Sequence, residues 1–190
     1  MINKRMSLIV FAAAAAVAAV APASAQTGGV ANRAISEGEV LAAQQAWCKA
    51  LIDISSTNER SGQPAAKALA EKVIDAAYAY QMGPVLFKPT LTVAPQTFRP
   101  TRAGALAYFV GGDAAYPNDT GFALKGWKRC EPVNNAIFIA GDTASTMGNV
   151  SFTDSSGKVT TVDKTWTFVK DDAGKLRIVV HHSSLPNTGK

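Results

Sequence analysis

LRIVVHHSSLP, Leu176 to Pro186, is the stretch whose reading decides how this chain is built. Its β-branched centre, Ile178-Val179-Val180, is strand material that must be buried on at least one face. The run then turns polar without a break, and His181 and His182 are the only 2 histidines of the protein. Side chains alternate along a strand, so His181 and Ser183 share one face while His182 and Ser184 share the other. One pair points inward, where imidazole and hydroxyl groups need partners or a ligand. A bulge just before the histidines would put His182 and Ser184 inward instead of His181 and Ser183. The plain alternative is a strand end that runs out into a polar loop.

Upstream of this segment the chain reads as strands joined by turns. Leu176–Ser184 follows a turn at Asp171–Gly174, and Val159–Val169, alternating Thr, Val, Trp and Phe, follows a turn at Asp154–Gly157. Thr143–Phe152 and Ala136–Ile139 flank Gly141-Asp142. Hairpin-linked runs of this kind predict an antiparallel sheet, with Asp142, Asp154, Asp171 and Asp172 serving the turns. Nearer the start the spacing becomes helical. Gly38 to about Ser55 carries Val40, Leu41, Trp47, Leu51 and Ile54 on one stripe. Ser61-Gly62-Gln63-Pro64 breaks it, Ala65–Tyr80 forms a second helix, and Gly83-Pro84 ends that one. PVLFKPT is a short strand stopped by Pro89, and Thr101–Val110 is a third helix capped by Thr101 and closed by Gly111-Gly112. Helices followed by a sheet predict a single α+β domain over 39–186, preceded by a flexible start at 26–38 and followed by a tail at 187–190.

The first 25 residues read as an export signal rather than as part of the fold. Lys4 and Arg5 precede an unbroken apolar run, Leu8–Val20, and Ala23-Ser24-Ala25 supplies the small-x-small cleavage site. The expected destination is the periplasm or the exterior, with no membrane association once the signal is removed. The formal net charge of +5 includes the two basic residues of that signal. No clustered Lys/Arg block accompanies it, so nucleic acid is not an expected partner. Cys48 and Cys130 are the 2 cysteines. An oxidising compartment permits a bridge between them, and the sequence leaves open whether they come within reach. Neither has a neighbouring His or Cys, which argues against a thiolate metal site. No phosphate loop, Ser-His-Asp arrangement or carboxylate pair stands out.

Four segments in order then point to a family: VLFKPT (Val85–Thr90), ALAYFVGG (Ala105–Gly112), GFALKGW (Gly121–Trp127) and LRIVVHHSSLP. Together they resemble the iota-class carbonic anhydrases of the bacterial type, from about Trp47 to Pro186. The resemblance implies the cone-like α+β fold of nuclear transport factor 2, shared with the calcium/calmodulin kinase association domain: N-terminal helices on a curved antiparallel sheet. It implies CO2 and bicarbonate as ligands, a homodimer, and a site formed by Thr90, Tyr108, His181 and Ser183. Some relatives carry a third histidine where this chain has Val180.

A catalytic zinc needs about three protein ligands and an open position. Two adjacent histidines on opposite strand faces do not supply them, so the expectation is hydration of CO2 without a metal or other cofactor. The hydroxyls of Thr90, Tyr108 and Ser183 would orient water and donate to the developing bicarbonate oxygens. His181 would polarise Ser183 or pass the proton. A fold of this kind hosts many functions, and the runner-up is a non-catalytic module binding a small molecule or forming a dimer.

Overall fold

The structure, a computed structural model, describes residues 33–187 and 189. The export signal at 1–25 and most of the expected flexible start lie outside the described residues, as do 188 and 190 of the tail. The element order is α1 (Glu37–Ala77), β1 (Leu86–Lys88), α2 (Arg102–Val110), a single 3-10 turn (Phe122–Leu124), β2 (Trp127–Ala140), β3 (Thr143–Asp154), β4 (Val159–Lys170) and β5 (Leu176–Ser184).

Ser36 opens α1 with a capping box: its Oγ accepts from the Glu39 N–H, and its own N–H donates to Glu39 Oε2 at 2.8 Å. The chain is already anchored before the helix, because Ile35 is buried and its N–H donates to Gly141 O at 2.8 Å. Val40, Gln44, Trp47, Cys48, Leu51 and Ile54 then lie on the buried face. At Gly62 the backbone leaves the helical region, with φ 77 and ψ 173, and α1 kinks into two helices. The first one runs past Ser55 to this kink. Beyond Ile54 its residues are polar, with Ser55 buried, 56–58 half-buried and 59–61 exposed, so hydrophobic spacing carries no signal there. The second ends at Ala77 rather than Tyr80, because Tyr78 turns extended (φ −105, ψ 156) and bridges to Ile178.

The sheet order is β1-β5-β4-β3-β2. Three neighbour pairs are antiparallel, as the hairpins require, while β1 lies parallel to β5. The sheet is therefore mixed rather than wholly antiparallel. Strand β2 is much longer than the Ala136–Ile139 read from sequence. Pro132 and the Asn134-Asn135 pair, where the ladder slips, mask its first half. The disulfide forms, with Cα atoms of Cys48 and Cys130 5.3 Å apart, and ties α1 to β2. Inside, a reciprocal amide pair between Gln44 and Asn134 (2.9 and 2.7 Å) joins the same two elements.

Candidate active site

A bulge precedes the histidines, but its effect is the reverse of the expected one: it turns His181 and Ser183 inward, not His182 and Ser184, and it sets the site. Phe168 on β4 pairs with Ile178, but the next partner pair is Thr167 with Val180, so Val179 is left over. Strict alternation from the buried Ile178 would turn His182 and Ser184 inward. The extra residue shifts the phase, and His181 and Ser183 are the pair that is buried, each 2% exposed. His182 faces out.

Around His181 the parallel pairing places Phe87 of β1 directly alongside, with stacked rings at 4.4 Å. Tyr78, turned in by the end of α1, lies near-parallel to the imidazole at 5.9 Å, with Oη 2.8 Å from His181 Nδ1. Trp47 of α1 donates its indole N–H to that same Tyr78 oxygen at 2.9 Å. The second imidazole nitrogen, Nε2, is 2.6 Å from Nζ of Lys164 on β4. Both ring nitrogens are thus engaged, and neither meets Ser183. Burial first, then the neighbouring Lys164 and His182, hold the His181 pKa well below its ordinary value, so the ring is neutral.

Ser183 instead shares a hydrogen bond between hydroxyls with Thr90, which follows β1 by way of Pro89. Tyr108 projects from α2, edge-on to Phe87 at 5.6 Å and stacked on Phe122 at 5.5 Å. Burial raises its phenol pKa, against the backbone amides of Leu91 and Thr90, which lower it. The hydroxyl stays protonated and remains a donor. All four residues named from the sequence border one cavity, together with Lys164 and a wall that includes Trp47, Phe87 and Phe109. Its free volume of about 10 Å3 is room for about one water.

Lys164 escaped the sequence reading. It is 5% exposed, with its ammonium position 5.1 and 5.2 Å from the rings of Trp47 and Trp166. Burial lowers its pKa from the ordinary 10.5 to about 7. The signal was the alternation of β4, where Val162, Lys164, Trp166 and Phe168 share one face. A lysine on an apolar face reads as a side chain reaching for water, so the pattern passed as ordinary. Tyr78 was hidden as one more apolar residue of a helix.

Among the described residues, no group of three or more His, Cys, Asp or Glu could hold a metal ion. The polar groups of the cavity are hydroxyls, an amine and an imidazole with both nitrogens occupied, which is not a zinc donor set. The arrangement can instead donate several hydrogen bonds to the oxygens of a small molecule in an apolar enclosure, where such bonds are strong.

Residues 38–185 match the family model described as metal-independent carbonic anhydrase. The chain is 68% identical over 157 residues to a metal-independent carbonic anhydrase from Nostoc sp., covering 83% of this chain and 77% of that protein. It is also similar to the crystal structure of an iota-carbonic anhydrase from a cyanobacterium, complexed with bicarbonate, at 67% identity and a TM-score of 0.82 over 83% of this chain and 96% of that one. A putative calcium/calmodulin-dependent protein kinase II association domain from Xanthomonas campestris matches at 25% identity, with a TM-score of 0.49 over 79% of this chain and 87% of that one.

Proposed function

The chain belongs to the metal-independent carbonic anhydrases of the iota class, enzymes of reversible CO2 hydration, and from that premise we propose how its own residues perform the reaction. The observation that carries the reading is that Thr90, Tyr108 and Ser183, three hydroxyl-bearing residues, line one cavity, with the Thr90 and Ser183 hydroxyls hydrogen-bonded to each other. A water held by the Thr90–Ser183 pair stands beside the carbon of CO2, which the apolar wall must yield to admit, since the cavity as it stands has room for about one water. As the new C–O bond forms, Tyr108 donates to the oxygen that gains charge. The water's proton leaves along the paired hydroxyls, each giving one proton as it takes another, and Thr90, which is only half-buried, hands it to solvent. His181 does not take that proton, since both its nitrogens are already engaged. The cyanobacterial relative was solved with bicarbonate, which supports the same ligand here.

Stopped-flow CO2 hydration by chelator-stripped protein tests this reading. Activity is expected to persist without metal. Tyr108→Phe and Ser183→Ala should each lower kcat about 10²–10³-fold, the effect of removing one preorganised donor. Folded variants with undiminished activity would overturn the hydroxyl cradle.

Two further features belong to the same proposal. Export rests on the basic start, the apolar run and the Ala-Ser-Ala site, and the Cys48–Cys130 bridge suits an oxidising compartment. N-terminal sequencing of periplasmic protein should read from Gln26; an intact Met1 would refute it. Homodimerisation rests on the outer face of the sheet, where Val133, Phe138 and Met147 are 67%, 71% and 62% exposed. Sedimentation should find a dimer that Phe138→Asp dissociates; a monomeric parent would refute it.

A further inference from the structure

Behind the cavity runs a file of four polar groups: Trp47 Nε1, Tyr78 Oη, the two nitrogens of His181, and Lys164 Nζ, with successive gaps of 2.9, 2.8 and 2.6 Å. We propose that Trp47 and Tyr78 are positioning residues that keep the proton of His181 on Nε2, and that the imidazole thereby holds Lys164 as a neutral amine whose N–H bonds complete the donor cradle. This inference rests on the cradle reading above and adds a fourth donor to it.

Donor counting along the file carries the argument. An indole nitrogen can only donate, so Tyr78 Oη accepts from Trp47. Tyr78 is 0% exposed, and its remaining hydrogen-bond neighbour is His181 Nδ1. Were the ring proton on Nδ1, the phenol oxygen would receive two donors and its own hydrogen would face no acceptor. A buried unpaired donor of that kind is costly. Pointing the Tyr78 hydrogen at Nδ1 satisfies every group, and the ring proton then sits on Nε2, aimed at Nζ. An ammonium has three donors and no acceptor, whereas an amine has a lone pair to receive that hydrogen.

The surroundings favour the same state. No carboxylate lines the cavity; its titratable groups are Lys164 itself, His181 from β5 and Tyr108 from α2. Lys88 of β1 is turned to the Ser183 carbonyl at 3.2 Å, and Asp163 lies on the opposite face of β4. The indole faces of Trp47 and Trp166 attract a cation, but burial outweighs them and brings the lysine to about pKa 7. With its lone pair taken by His181, the amine turns its own hydrogens toward the cavity. A neutral donor stabilises the charge that develops on the bicarbonate oxygens without forming an ion pair that would retain the product.

Nitrogen NMR of the labelled, metal-free protein reads the tautomer directly. His181 should show a bare Nδ1 and a protonated Nε2 throughout the range of activity; a protonated Nδ1 would overturn the proposal. The pH profile gives a second readout. Tyr78→Phe keeps the ring stack and removes the hydrogen that occupies Nδ1. The ring proton can then move to Nδ1, leaving Nε2 to accept from an ammonium. The acid limb of kcat/KM should move up by about one pH unit while the high-pH plateau survives. If Tyr78 serves packing alone, the whole profile falls and the limb stays in place, which would also overturn the inference. The NMR measurement uses the unaltered protein and needs no turnover. Full activity in Tyr108→Phe and Ser183→Ala would therefore sink the cradle while leaving the tautomer assignment standing.

Discussion

Two of the buried basic side chains, Arg99 and Lys164, meet opposite fates. Arg99, 2% exposed, is fully enclosed by partners. Its Nε and Nη2 donate to both oxygens of Asp119 at 2.8 and 2.7 Å, and Nη1 donates to the carbonyls of Gln96 and Phe98 at 2.6 and 2.9 Å. The ring of Tyr116 covers its open face at 4.5 Å. Lys164 meets one imidazole nitrogen and two indole faces. A guanidinium cannot shed its proton, so the fold must bring a carboxylate to it. A lysine can, and the fold is free to leave it without a carboxylate. Lys170, on the same face of β4, stands between them: it reaches Glu39 at 2.8 Å and the Ala34 carbonyl at 2.6 Å at the rim. Paired charge in this protein builds the frame, and the amine that lacks a carboxylate lies where the chemistry is.

The contrast breaks most sharply at Asp119. Asp119→Ala should cost about 3–5 kcal/mol in urea denaturation, because it strands a buried guanidinium. Lys164→Met should cost less, about 1–3 kcal/mol, because it leaves the buried His181 Nε2–H without its acceptor, while activity is lost. Equal destabilisation by the two would erase the distinction. Next comes the bridge. Replacing Cys48 and Cys130 by Ala opens a separation of 82 residues and should cost about 2–4 kcal/mol, read by the same denaturation. The helix it tethers carries Trp47, so the acid limb of activity should also shift, which Asp119→Asn should not cause.

A subtler separation comes from pH. Between about pH 7 and 10.5 the unfolded chain protonates Lys164 and the folded chain does not. Stability should therefore rise with pH across that window. Above pH 10 the sign reverses, since unfolded tyrosines lose protons that buried Tyr78 and Tyr108 retain. The urea midpoint should peak near pH 10, and Lys164→Met should flatten the rising side only. A rise that survives the substitution would place its origin elsewhere. The smallest effect is expected at Ser36, whose cap starts the helix that brings Glu39 to Lys170; Ser36→Ala should cost about 1 kcal/mol with no change in the pH profile.

How much of this could be read beforehand depended on the range of the interaction. The β3, β4 and β5 hairpins were legible because turn residues and alternation are local, and Thr101 was legible as a cap for the same reason. Thr90, Tyr108, His181 and Ser183 were named through family resemblance, since alternation left the faces of β5 open and the Val179 bulge decides them. The parallel docking of β1 on β5 joins positions about a hundred residues apart, such as Phe87 and His181, and no local pattern announces it. Lys164 was visible as a lysine in phase with Trp166 and Phe168. Its importance emerges only when His181 is found on one side and no carboxylate on the other.

Strand β5 follows every other described element along the chain, yet it lies between β1 and β4 rather than at the rim of the sheet. During synthesis every earlier element can exist while the slot beside β4 is still empty. A chain cut before Leu176 would present the length of β4 as an open edge, with Trp166 and Phe168 on its uncovered flank, a template for adding strands from other chains. It would also possess Thr90, Tyr108 and Lys164 and yet no enclosure. Closing the sheet and creating the catalyst are therefore one event, and a partly made molecule is idle and prone to aggregate until β5 arrives.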